Sequence, residues 1–178
     1  RASYDPATIA LGASIACAGP CLTAVSVEPA EGGCVFAVDA AAETLARTTV
    51  GTWAAGTRIN LERSLKVGDE LVGHLVTGHV DGLAEIVERE SVTADAWGAS
   101  ERFTLRAPAA VKQFIAGKGP VCLDATPPTV NAVPDDLFPV LLRPHSPHVT
   151  TRGERSAGGR LTLGVACTAR SHLMLTPD

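Results

Sequence analysis

Phe36 to Glu62 reads FAVDAAAETLARTTVGTWAAGTRINLE, and Phe138 to Gly164 reads FPVLLRPHSPHVTTRGERSAGGRLTLG. The two stretches lie at a constant offset of 102 (138 − 36), and 9 of 27 aligned positions are identical, among them Thr48/Thr150, Thr49/Thr151, Gly51/Gly153, Gly56/Gly158 and Arg58/Arg160. A period of about 100 residues is far too long for a solenoid and matches a small domain. The chain is therefore read as two similar modules in tandem, and its function must account for two copies.

Around the repeat, short β-like runs dominate: Ser14–Cys17, Leu22–Val27, Cys34–Val38, Arg58–Leu61, Gly82–Glu88, Arg102–Leu105, Val121–Leu123, Phe138–Leu142 and Arg160–Val165. They are apolar or alternating, bounded by Gly, Pro or Asp, and spaced as in small barrels or sandwiches. Helical signals are few. Asp5-Pro6 offers an N-cap followed by Pro at the first helical position. Pro108 to Ala116 predicts a helix with Val111, Phe114 and Ile115 on one face and Gly117 at its end. Asp39 before Ala40–Ala42 and Glu43 predicts a capped single turn. The polar stretch Val87–Arg102 is where the modules are expected to meet, giving modules over residues 1–90 and 91–178.

The composition excludes several classes. The 178 residues carry a net charge of −4 with no basic run, and aromatics are only 4%, which argues against nucleic acid as the partner. Apolar runs are short and broken, so no membrane span is expected. Arg1 to Ala10 has no signal-peptide pattern, and a first residue other than Met implies sequence further upstream. Five cysteines, at 17, 21, 34, 122 and 167, match no disulfide framework or zinc knuckle. They read as free thiols in a reducing, cytoplasmic compartment, each by default a small buried apolar residue.

Chemistry concentrates in Gly19-Pro20-Cys21-Leu22-Thr23, in Gly73-His74-Leu75-Val76-Thr77-Gly78-His79-Val80-Asp81-Gly82, and in the repeated Thr-Thr-x-Gly. His74 and His79 are five apart, which places them on opposite faces of a strand and off a common face of a helix, so no metal site is expected. Serine-protease, P-loop and dinucleotide signatures are absent.

Taken in order, Leu11-Gly12-Ala13-Ser14-Ile15-Ala16, Gly19-x-Cys21-Leu22-Thr23, Glu43-Thr44-Leu45-x-Arg47-Thr48-Thr49, Asn60-Leu61-Glu62-Arg63 and Gly73-His74 through Gly82 resemble the riboflavin synthase family, over about Tyr4 to Arg170. The resemblance implies a mostly β chain of two tandem six-stranded Greek-key barrels with short helices, the first barrel lacking the family's opening strands. It implies a homotrimer. It also implies a dismutation in which two molecules of 6,7-dimethyl-8-ribityllumazine exchange a four-carbon unit, giving riboflavin and 5-amino-6-ribitylaminouracil, without metal or redox cofactor. Each barrel would bind one lumazine, and the two would react face to face across a subunit boundary.

By the same resemblance Cys21 and His79 sit near the chemistry. Leu22, Thr23, Asp39, Glu43, Thr44, Gly78 and Val80 would contact ligand in the first barrel, and Lys118, Thr129 and Ser146 in the second. The second copy departs from the family pattern. Pro127 stands at the family's serine position within Asp124-Ala125-Thr126-Pro127-Pro128-Thr129, and Ala166 stands at an acidic position. Proline offers neither a hydroxyl nor an N–H. The rival reading is a non-catalytic lumazine- or flavin-binding protein, or a degenerate copy of the enzyme.

Overall fold

Where apolar and polar residues alternate between Gly and Pro punctuation, the chain pairs into antiparallel strands. A computed structural model describes residues 1–69, 78–95, 98–166 and 169. The first sheet has strand order β3-β2-β1-β4, from β1 (Ser14–Cys17), β2 (Cys21–Ala30), β3 (Gly33–Val38) and β4 (Leu61–Arg63), with helix α1 (Ala42–Arg47) after β3. The second has order β7-β9-β5-β6-β8, from β5 (Gly82–Asp95), β6 (Gly98–Arg106), β7 (Val121–Leu123), β8 (Leu137–Leu142) and β9 (Arg160–Val165), with helix α2 (His145–Val149) after β8. The protein is mostly β with few short helices, as expected. Among the described residues the sheets have four and five strands, rather than six each.

The duplication is visible at the level of register. β1 pairs β4 through Ile15↔Arg63, Ala16↔Glu62 and Cys17↔Leu61, and β7 pairs β9 through Val121↔Val165, Cys122↔Gly164 and Leu123↔Leu163. After β3 and β8 the same short helix and capped 3-10 turn recur. The Thr48 hydroxyl donates to Thr44 O (2.6 Å) and accepts from Val50 N (3.2 Å); the Thr150 hydroxyl donates to Ser146 O (2.8 Å) and accepts from Arg152 N (3.4 Å). Each cap satisfies an orphan amide at a helix start.

The copies diverge at β2. In the first module Cys21–Ala30 is a long strand, paired on both sides. Its counterpart in the second module holds Pro127 and Pro128 and forms no continuous strand: it makes the isolated bridges Pro120↔Thr129, Leu123↔Thr126 and Val130↔Val140, with Val121 N donating to Pro128 O (3.2 Å) and Val130 N to Gly119 O (2.9 Å). Neither proline has an N–H to donate, so the bond to Pro128 O is not reciprocated and the ladder is incomplete.

Each sheet has its own core. Leu22, Ala24, Ile15, Cys17 and Cys34 pack in the first, and Phe103, Phe138, Leu105, Ile86 and Leu163 in the larger second. β9 is buried on both faces. Leu161, Leu163 and Val165 face the second core, whereas Thr162 and Gly164 meet Gly19 and the His79 carbonyl.

Four expectations are corrected. The strand placed at Arg58–Leu61 forms instead at Leu61–Arg63, where it pairs with β1. The helix expected over Pro108–Ala116 is a single 3-10 turn, Lys112–Phe114. Its apolar face is nonetheless used, since Val111 and Ile115 are buried and Phe114 packs on them. Asp39 does not cap α1, whose N-cap is Ala41 and has no side-chain bond. The expected junction at 90/91 falls inside the β5–β6 hairpin, which lies wholly in the second sheet. Asp5 does cap its turn, accepting from Ala7 N at 2.9 Å. Among the described residues no helix is long and apolar enough to cross a membrane.

The repeated glycines give a stability test. A Cβ on Gly153 would lie 2.6 Å from Pro147 O, whereas on the equivalent Gly51 it would lie 3.1 Å from Leu45 O. Neither glycine needs a positive φ, so the difference is steric. Gly153→Ala is expected to lower stability by about 1–3 kcal/mol, and Gly51→Ala by less, as read from urea unfolding of both variants.

Candidate functional site

Strand alternation sorts the residues of the first module. In β2, Cys21 and Thr23 point to the exposed face while Leu22 is buried in the core. Ser14↔Thr23 and Ala16↔Cys21 set the neighbours on β1. Since Ala24 pairs Val38, Asp39 emerges from β3 one step along, beside Thr23. α1 follows at once, bringing Thr44, half-buried, to the same end of the sheet. Glu43 is exposed and paired with Arg47.

Gly78 closes this end from the other side. Cys21 N donates to Gly78 O (3.1 Å), and a Cβ on Gly78 (φ 71°) would lie 2.8 Å from Cys21 Cβ, so only glycine permits the approach. The segment continues across the gap between the sheets. Val80 packs near Gly19, the His79 carbonyl lies against Gly164, Asp81 N donates to Leu163 O (2.8 Å), and Asp81 Oδ2 accepts from Val165 N (2.7 Å). A cleft of about 270 Å³ opens here, lined by Cys21, Gly78, Glu62 and Arg63 from one side and Cys122 and Ala125 from the other. A cleft of about 440 Å³, lined by Arg58, Arg89, His148 and Glu154 among others, contains none of the expected site residues.

The second module repeats the arrangement with changed side chains. Lys118 N donates to Val130 O (2.8 Å), as Gly12 N donates to Ala24 O (2.8 Å) in the first. Gly12 has φ 82° and Lys118 has φ 66°. A left-handed lysine costs roughly 1 kcal/mol or more, and here the strain presents an exposed side chain. Thr129 is exposed beside the Val130↔Val140 bridge, and Ser146 is half-buried in α2.

The structure thus gathers Cys21, Thr23, Asp39, Thr44, Gly78 and Val80 at one end of the first sheet, with His79 exposed on the adjoining segment. In the second, Thr129 and Ser146 take the places of Thr23 and Thr44, and Lys118 that of Gly12. Leu22 faces the core instead. Gly73 to Thr77, including His74, lie outside the described residues, as does Cys167. Among the described residues no cluster of His, Cys, Asp and Glu is placed to hold a metal ion.

Sequence reasoning missed the polar joint beneath both ends. Asn60 Nδ2 donates to Asp124 O (2.7 Å) and its Oδ1 accepts from Thr151 N (2.8 Å); Thr162, the repeat partner of Asn60, bonds the Thr49 hydroxyl (3.2 Å). Asp124 is fully buried, and burial raises its pKa against the opposing pull of the Thr162 amide and Arg155. Burial lowers that of Arg152 to about 10, opposed by Asp124. The signal available was the Asn60/Thr162 pair at the repeat offset.

The family model for the lumazine binding domain matches residues 1–64 and 77–166. The chain is 53% identical over 169 residues to the riboflavin synthase of Brucella abortus, covering 94% of this chain and 81% of that protein. It is 39% identical over 162 residues to the riboflavin synthase of Mycobacterium tuberculosis, covering 89% and 77%. Among solved structures, LumP complexed with riboflavin superposes with a TM-score of 0.77 at 16% identity, covering 89% of this chain and 81% of that one, a likeness of fold.

The thiols make the joint sensitive to alkali. Burial, with neighbouring Cys21, pushes Cys17 up to about 11, and burial, with the charge of Glu62, pushes Cys122 up to about 11. An unfolded thiol ionises near ~8.5. Because the folded state keeps its protons longer, this stability is fully present below that value and is lost as pH rises through about 11. The urea midpoint is expected to fall across this window, and less steeply in a Cys17→Ala/Cys122→Ala variant.

Proposed function

The chain belongs to the riboflavin synthase family, and on that premise we propose that it converts two molecules of 6,7-dimethyl-8-ribityllumazine into riboflavin and 5-amino-6-ribitylaminouracil. One lumazine donates a four-carbon unit and the other accepts it, so the electrons balance between the two. The supporting observation is the register match between the modules. The same backbone frame surrounds Thr23 and Thr44 in one and Thr129 and Ser146 in the other, which suits two copies of one ligand. Holding both removes much of the entropic barrier to a bimolecular step.

The residues divide by chemistry. Thr23, Asp39, Glu43, Thr44, Gly78 and Val80 would bind the first lumazine, and Lys118, Thr129 and Ser146 the second. Hydroxyls, backbone groups and an ammonium suit a flat heterocycle with donors and acceptors on its edge and a polyol tail. Leu22 would support the first pocket from the core side. Two steps need help: removing a proton from the acidic C7 methyl of one substrate, and adding a nucleophile to the other. Cys21 and His79, exposed at the same end, supply a thiol and an imidazole for them. Assembly as a homotrimer, which would bring a first module against a neighbour's second, belongs to the same proposal. So does a cytoplasmic setting, which suits the free thiols Cys17, Cys21, Cys34 and Cys122.

The second reading, a lumazine- or flavin-binding protein without turnover, is favoured by the broken strand at Pro127 and Pro128 and by the buried methyl of Ala166. Incubation of the purified chain with 6,7-dimethyl-8-ribityllumazine separates the two. The enzyme yields one riboflavin for each pair of lumazines consumed. Cys21→Ala and His79→Ala are each expected to lower turnover by about 10²-fold while binding persists. Lumazine binding without riboflavin would establish the second reading, and no binding would remove both.

A further inference from the structure

The modules share a backbone frame but differ beneath it. At the offset of the helical repeat, Val50 matches Arg152 (152 − 50 = 102) and Trp53 matches Arg155 (155 − 53 = 102). In the preceding turn the offset is 106, so Ala18 matches Asp124 (124 − 18 = 106). Hydrogen bonding fixes that register. Ala18 N donates to Asn60 O (2.8 Å) and Asp124 N to Thr162 O (3.0 Å), Cys17 N to Pro20 O (2.9 Å) and Leu123 N to Thr126 O (2.8 Å). Ala18 and Asp124 are both left-handed, at φ 49° and 45°. Three positions that are alanine, valine and tryptophan in one copy are therefore aspartate and two arginines in the other.

The charged set grips one turn. Arg152, 3% exposed, donates through Nη2 to Leu123 O (3.0 Å) and Thr126 O (2.6 Å). Asp124 accepts from Thr162 N (2.8 Å) at one oxygen and from Arg155 Nη2 (2.9 Å) at the other. Asn60 adds its bond to Asp124 O. Three carbonyls of residues 123–126 are thus held by side chains. The turn leads directly into Pro127-Pro128-Thr129, where Val121 N still donates to Pro128 O (3.2 Å) but proline cannot return the bond, so the pairing that anchors Cys21–Thr23 in the first copy is weakened. Arg152 also lies in the 3-10 turn Thr151–Glu154, whose cap Thr150 donates to Ser146 O in the preceding helix. One buried guanidinium therefore joins the two segments that carry Thr129 and Ser146.

We propose that Arg152 is a positioning residue for the second-module pocket: with Asp124 it compensates for the ladder bond that Pro128 cannot donate, and holds Thr129 and Ser146 at the spacing a planar heterocyclic ligand requires. The first module has the ladder and needs no such bracket, which accounts for Val50 and Ala18 there. The proposal rests on the reading that the second module takes a lumazine.

The test compares wild type with Arg152→Val, which installs the first-copy residue, and with Arg152→Met and Arg152→Lys, which keep the length without donors and with charge. Amide hydrogen exchange of Thr126 reads the turn without ligand. Amide NMR shifts at Thr23 and Thr129 during titration with 6,7-dimethyl-8-ribityllumazine read the two pockets separately. In the Val and Met variants, exchange at Thr126 is expected to rise about tenfold and the Kd reported by Thr129 to rise about tenfold, with the Kd at Thr23 changing less than about twofold and lysine restoring part of the loss. A variant that does not fold leaves the other two to decide. Equal changes at Thr23 and Thr129, or unchanged exchange at Thr126, would overturn the proposal while wild-type binding stands. Absence of any lumazine shift in wild type would instead overturn the functional reading and the ligand half of this proposal with it.

Discussion

The carboxamide of Asn60 belongs to both halves of the molecule. It leaves β4's approach in the first module, donates to the turn at Asp124 and accepts from the capped turn at Thr151 in the second. A side-chain amide that satisfies one backbone donor and one backbone acceptor together fixes orientation as well as distance. Its counterpart Thr162 answers with the Thr49 hydroxyl and with a methyl so close to Gly19 that no Cβ fits there. Residue and counterpart thus exchange roles, as at an isologous interface. β9 is consequently buried on both faces, and the segment from Gly78 to Asp81 threads between the sheets.

That joint explains why the copies can diverge without losing their frame. The first module keeps a long β2 and a small apolar core; the second has an interrupted pairing at Pro127 and Pro128 and adds a buried ionic bracket around Asp124. Burying charge is costly unless every partner is in place. The full ladder and the bracketed one are two solutions to holding a turn and the segment after it.

Much of this was legible in the sequence. The offset of 102 carries α1 and its capped turn onto α2 and its capped turn, since Thr caps and close-packed glycines are local requirements that a sequence must state openly. Cys21 and Gly78 stood in separate motifs of the family resemblance, and their backbones bond to each other. The bracket was not. Asp124, Arg152 and Arg155 read as surface residues by type, and their apolar counterparts lie at two different offsets, so no single alignment lines them up. Leu22 shows the opposite failure: a motif names a strand, but alternation decides which of its residues face the pocket. The Pro108–Ala116 pattern had the right apolar face, but the chain makes one 3-10 turn and is already extended at Ile115 (φ −98°, ψ 118°), before Gly117.

Under the proposed function, two similar frames exist because one ligand is bound twice. Calorimetric titration of the chain with 6,7-dimethyl-8-ribityllumazine under conditions that suppress turnover tests this most directly. Two lumazines per chain, in two classes of unequal affinity, is the predicted result. A single lumazine per chain, with the amide of Thr129 unperturbed at saturation, would contradict it.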